Sequence, residues 1–167
     1  AIYIDVEGDE WLPEIDRSDK LENQCTLEPK AIIDKIAAAG IVGLGGACFP
    51  THVKLLPPPG KKAEVLIVNG VECEPYLTCD YRAMVEKETT DKLVTGVQIC
   101  MKVLGVHKAF IGIEDNKPEA IQNLTEAFKD IPEVTVLACK TKYPQGAEKM
   151  MIEACTGRQV EPGGLPM

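Results

Sequence analysis

Three short apolar runs, "AEVLIVNG" at 63–70, "HKAFIGIE" at 107–114 and "EVTVLAC" at 133–139, are separated by longer stretches with apolar residues at helical intervals. Runs of that length, rich in β-branched residues and closed by turn signals, read as buried strands. Over 89–104, Leu93, Val97, Cys100, Met101 and Leu104 recur at helical spacing, and Gly105 closes the stretch. Residues 117–130, with Pro118 near the start, and 145–157 read as two further helices. Upstream, "PKAIIDKIAAA" at 29–39 is helical, with Pro29 in its first turn and Gly40 at its end. Such alternation predicts an α/β fold of βαβ units, with right-handed crossovers and a parallel sheet covered by helices. Ligands of such sheets sit beyond the carboxyl ends of the strands. The loops at 69–82, 114–117 and 140–147 therefore become the first places to look for a site.

The chain has 167 residues, enough for one hydrophobic core. Residues 1–24 are acidic and show no sustained period, so they are expected to form an extended arm or linker before a domain at 25–167. A formal net charge of −8 argues against a nucleic-acid partner. It leaves room for a phosphate-bearing cofactor, because a local nest of N–H groups and one lysine can outweigh a distant field. No apolar run approaches the ~20 residues a membrane span needs, and no signal segment opens the chain. A start at Ala1 and a stop at "VEPGGLPM" suggest a piece of a longer polypeptide. Seven cysteines without a CxxC argue against a disulfide framework, a zinc ribbon or an iron–sulfur cluster within these residues. Cys100 and Cys155 lie in apolar helical runs and read as small core residues.

"GLGGACFPTHVK" at 43–54 places three glycines beside one lysine. It is not the dinucleotide fingerprint, since the third glycine position is Cys48 and a helix precedes it, nor is it a P-loop. Bare backbone still allows close approach and an anion nest, with Lys54 supplying charge. The plain alternative is a tight connection without a ligand. In "NGVECEPYLTCDYR" at 69–82, Glu72 and Glu74 are two apart and would face one side of an extended segment. There they could accept hydrogen bonds from ribityl or ribose hydroxyls, with Asn69 beside them; a solvated acidic turn is the alternative. Asp80 and Arg82 read as an ion pair or surface charges. In "KYPQGAEK" at 142–149, Pro144 and Gly146 shape a turn, and Glu148 suits a helix start. His52 and His107 show no ligand spacing.

Together "GIVGLGGACFPTHVKL", "LIVNGVECEPYLTCDYR" and "KYPQGAEKMMIEACTGRQVEPGGLP" resemble the C subunit of the Rnf electron-transport complex. More distantly they resemble the flavin-binding, NADH-oxidising subunit of respiratory complex I. The resemblance implies a Rossmann-like domain, with helices on both sheet faces, that binds FMN and meets NAD(H). It implies that Gly43, Gly45 and Gly46 line the flavin, and that Lys54 holds its phosphate side. Phe49 would lie near the nicotinamide ring. Asn69, Glu72 and Glu74 would hydrogen-bond flavin and nucleotide, and Tyr143, Gly146 and Glu148 would form the third loop. No catalytic side chain and no metal ligand is implied here; 4Fe-4S clusters are expected only in a missing C-terminal part. The implied partners are other electron-transport subunits, ferredoxin or a reductase. The implied location is cytoplasmic or peripheral on the cytoplasmic membrane, without direct membrane insertion. Three departures stand out: Val71 where complex I relatives carry an acid, Ala147 where they carry a glutamate, and Cys48 where a small residue is usual. Cys48 is a redox candidate, and cysteine or selenocysteine there would suit a relative that serves a soluble reductase such as proline reductase. Two rival readings are a docking module for a reductase or ferredoxin that binds no cofactor, and a thiol-redox site at Cys48.

Overall fold

The computed structural model describes residues 2–18, 20–22, 24–44 and 47–164. Strands β1 (Leu66–Gly70), β2 (Ala109–Glu114) and β3 (Val134–Cys139) form a parallel sheet in the order β1-β2-β3. Leu66 lies opposite Ala109, and Ala109 opposite Val134, so the strands run in step and end together. Among the described residues six helices accompany them: α1 (Pro29–Ala38), α2 (Thr51–Lys54), α3 (Cys79–Val85), α4 (Lys87–Leu104), α5 (Pro118–Ala127) and α6 (Glu148–Thr156). The α/β fold with a helix-covered parallel sheet, expected from the alternation, is what forms.

The central strand sorts its side chains by parity. Ala109, Ile111 and Ile113 point into the larger core, where Val97 and Met101 of α4 and Ala120 and Leu124 of α5 meet them. Each fully buried aliphatic there contributes about 1.5–3 kcal/mol. Phe110 points the other way, toward a smaller core built from Val71, Cys139, Met151 and Cys155. Helix α6 covers that face. A Cβ on Gly112 would clash with Met151 Cε, so the bare glycine leaves room for that methionine against the sheet. Gly105, at φ +65°, ends α4 in the left-handed conformation that glycine adopts without strain.

Residues 2–18 and 20–22 contain no helix or strand, and Arg17 stacks on Trp11 at 4.9 Å. Lys102 Nζ donates to the Cys25 carbonyl at 2.7 Å and ties the end of this segment to α4. Among the described residues no helix is long and apolar enough to cross a membrane.

Two helices lie where loops were expected. Helix α3 begins at Cys79, near the end of 69–82, and runs on to Val85. Tyr81, Met84 and Val85 follow at helical spacing, and all three pack on the larger core. The short α2 follows Pro50. Cys155 is a core residue as expected, and burial, with Cys139 beside it, pushes its thiol up to about 11. Cys100 is only half-buried.

Candidate functional site

The carboxyl ends of the three strands lead into loops that hold one another. Asn69 Nδ2 donates to the Gly146 carbonyl at 2.7 Å, and its Oδ1 accepts from the Val71 amide at 3.1 Å. The Gly146 amide donates to Cys73 Sγ at 3.2 Å. A Cβ at Gly146 would lie 2.8 Å from the Val71 carbonyl oxygen and 3.1 Å from Cys73 Sγ. Glycine is therefore what permits the first and third loops to touch. From the second loop, Asp115 Oδ1 accepts from the Thr141 amide and hydroxyl. These two bonds hold the Asp115 carboxyl below its usual range.

Glu72 and Glu74 do not face the same side. Glu74 is exposed, whereas Glu72 turns inward and is 7% exposed. Glu72 Oε1 accepts from the Asp80 amide at 2.7 Å, and Oε2 from the Tyr81 amide at 3.1 Å. These are the second and third amides of α3, which an N-cap side chain ordinarily satisfies. Thr78 makes no such side-chain bond. Glu72 caps the helix from a distance because the chain folds back on it. Lys117 Nζ lies 3.5 Å from Glu72 Oε2 and 3.0 Å from Glu114 Oε2. Sequence reading missed Glu114 and Lys117; the available signal was a lysine three residues after a glutamate that ends an otherwise apolar strand. Of the two readings of Asp80 and Arg82, an ion pair or surface charges, the second holds: both are exposed and no ion pair joins them among the described residues. Arg82 pairs with Glu86 one helical turn on, at 3.0 Å.

Partial burial first, then the nearby Glu72 charge, hold the Asp80 carboxyl above its usual 3.8, against the opposing influences of Cys79 and Lys117. An aspartate raised on folding binds its proton more tightly in the folded state. The stability it contributes at low pH is lost as pH climbs from the unfolded value through the folded one. Asp80→Asn is expected to raise the melting temperature at pH 7 and to leave it unchanged near pH 3. Thermal melts across that range check this; an equal effect at both pH values would remove the electrostatic explanation.

The glycine segment forms a separate group. Val42 pairs with Pro50 in an antiparallel bridge, and the Gly43 amide donates to the Phe49 carbonyl at 2.9 Å. Gly43 thus spends its amide inside the hairpin. Its open α-carbon faces Lys54 instead: a Cβ there would lie 3.6 Å from Lys54 Nζ. Among the described residues Lys54 has no ion-pair partner, and it is exposed. Cys48 is exposed at φ 50°, in the left-handed region that glycine adopts most readily. Gly45 and Gly46 lie outside the described residues. Phe49 is 47% and Tyr143 73% exposed, so both present aromatic surface to solvent. Glu148 is exposed in the first turn of α6.

The structure thus brings together Asn69, Glu72 and Gly146 at the strand ends, and Gly43, Phe49 and Lys54 at the hairpin. No hydrogen bond or ion pair among the described residues joins the two groups. The donor set fits FMN. An ammonium without an ion-pair partner among the described residues suits a phosphate, exposed aromatic faces suit a flat ring, and the exposed Glu74 carboxylate suits hydroxyl donors.

Residues 36–167 match the Nuo51 FMN-binding domain family. The chain is 56% identical to the C subunit of the proton-translocating ferredoxin:NAD(+) oxidoreductase complex of Clostridium ljungdahlii, over 99% of this chain and 35% of that protein. It is 51% identical to the Na(+)-translocating counterpart of Acetobacterium woodii, over 84% of this chain and 31% of the relative. The C subunit of an ion-translocating oxidoreductase complex from Haemophilus influenzae is 41% identical over 98% of this chain and 24% of its own length. The chain therefore spans about a third or less of these relatives. With the parallel sheet, the linked strand-end loops and the lysine-backed hairpin in place, the match over 36–167 shows that the chain belongs to the Nuo51 FMN-binding domain family, as a relative of the C subunits of Rnf-type complexes.

Proposed function

We propose that this chain is the FMN-carrying part of an electron-transfer subunit that oxidises NADH, in an Rnf-type complex or a soluble reductase-associated relative. Its electrons go to iron–sulfur clusters outside these residues, and its partners are other electron-transport subunits, ferredoxin or a reductase. The observation that carries the proposal is the Lys54 ammonium beside the bare α-carbon of Gly43, without an ion-pair partner among the described residues.

Bound FMN supplies the exchange between hydride transfer and single-electron transfer. The protein's part is to bind and orient. Lys54 neutralises the phosphate. Phe49 and Tyr143 offer faces for flat rings, and Glu74 accepts hydrogen bonds from ribityl or ribose hydroxyls. Asn69 and Gly146 act together by keeping the first and third loops in contact. Glu72, with both oxygens committed to α3, contributes by fixing where Glu74 emerges.

Riboflavin lacks the phosphate, so it separates the role of Lys54 from ring binding. A hydrogen bond to a charged group is worth about 1.5–3 kcal/mol. Lys54→Gln should therefore weaken FMN binding by about 10- to 100-fold and leave riboflavin binding unchanged. Flavin fluorescence titration measures both. Equal affinity of the unaltered chain for FMN and riboflavin would remove Lys54 from the phosphate site. Loss of both flavins in the variant would assign it a structural role instead.

A further inference from the structure

We propose that Lys117 is a positioning residue that locks the loops after all three strands into one closed circuit at the sheet's carboxyl edge. Glu114 ends the central strand and is 2% exposed. Lys117 sits in the turn that follows, with its side chain 12% exposed. Its ammonium lies between two enclosed carboxylates, Glu114 in its own turn and Glu72 in the loop after β1. The same turn reaches the loop after β3 through Asp115 and Thr141. That third loop returns to the first through Gly146, which bonds Asn69 and Cys73. Each loop thus holds both others, and Lys117 is the link between the first and second.

Removing the ammonium leaves two buried carboxylates facing each other. Buried like charges repel and lack compensation, so breaking such a pairing is far more costly than losing a surface ion pair. The least costly escape is for the second loop to swing away from Glu72. Glu72 would then lose a constraint on its position, and the Asp80 and Tyr81 amides would lose their fixed acceptor. Arginine keeps the charge and has the reach for both carboxylates, whereas methionine keeps the bulk alone.

Amide exchange and FMN affinity in the 167-residue chain test this, for Lys117→Met and Lys117→Arg. Only the affinity arm rests on the proposed function. Lys117→Met is expected to speed exchange at Asp80, Tyr81 and Thr141 and to weaken FMN binding, each by about 10-fold. Lys117→Arg is expected to return both to within about 3-fold of the unaltered chain. Should Lys117→Met not fold, Lys117→Gln, neutral but still able to hydrogen-bond, is read in the same way. Unchanged exchange at those three amides in a folded neutral variant overturns the proposal. So does failure of arginine to rescue, since bulk rather than charge would then matter. If the unaltered chain binds no FMN, the functional reading falls while the exchange measurements still decide the role of Lys117.

Discussion

Gly146→Val is expected to unfold or severely destabilise the strand-end edge and to abolish FMN binding even where the core survives. The first atom of any side chain at this position would lie 2.8 Å from a backbone carbonyl oxygen, that of Val71, and 3.1 Å from Cys73 Sγ. A carbonyl held at the end of a parallel sheet cannot step aside as a flexible side chain can. Overpacking of this kind typically costs about 1–3 kcal/mol. Separating the loops also breaks the Asn69 and Cys73 bonds to Gly146, each worth about 0.5–1.5 kcal/mol. For a chain of this size each kcal/mol lowers the melting temperature by about 2–4 °C. Gly96→Ala is the control, because its added methyl meets nothing within 4 Å. Denaturant unfolding and flavin titration on both variants measure the contrast. A Gly146→Val protein as stable as the Gly96→Ala control would mean that the two loops are not in contact.

Glu72→Ala is expected to have the other large effect, and to have it without any cofactor present. The substitution leaves the Asp80 and Tyr81 amides without their acceptor and leaves Lys117 with Glu114 alone. Losing a helix cap costs about 0.5–2 kcal/mol, and removing one partner from a buried charge pair about 3–5 kcal/mol. The surviving Glu114 contact moderates the second figure. A loss near 3 kcal/mol in urea unfolding is therefore expected, to within about 1 kcal/mol. Glu72→Gln, which can still accept from one amide, should lose less. If Glu72→Ala matched the unaltered chain in stability yet failed to bind FMN, the carboxylate would be a ligand contact rather than a helix cap.

Much of this architecture was legible in the sequence, because burial leaves a periodic mark. Ala109, Ile111 and Ile113 lie in a run too short and too β-branched for a helix, and Leu93, Val97 and Met101 recur at helical spacing. The alternation of such runs pointed to a parallel sheet before any contact was known. Lys54 as the one cation of the glycine segment was legible for a simpler reason, since few charged residues surround it. What was not legible depends on partners distant in sequence. Glu72 looked like half of a surface pair with Glu74, because the reading assumed an extended segment. The turn into α3 instead brings the amides of Asp80 and Tyr81, eight and nine residues on, back to it. Lys117 and Glu114 looked like an ordinary charged turn, because nothing local announces that Glu72, far earlier in the chain, will lie 3.5 Å from the lysine. Helix α3 itself was hidden by the polar residues before it, although Tyr81, Met84 and Val85 carried its signature.

The most direct test of the central claim is the melting temperature of this chain with FMN and, separately, with riboflavin. At FMN about 100-fold above its dissociation constant, binding should add about 2.7 kcal/mol, or roughly 5–10 °C for a chain of this size. Riboflavin at the same concentration should give a clearly smaller rise. A folded chain whose melting temperature and flavin fluorescence stay unchanged at millimolar FMN would contradict the claim.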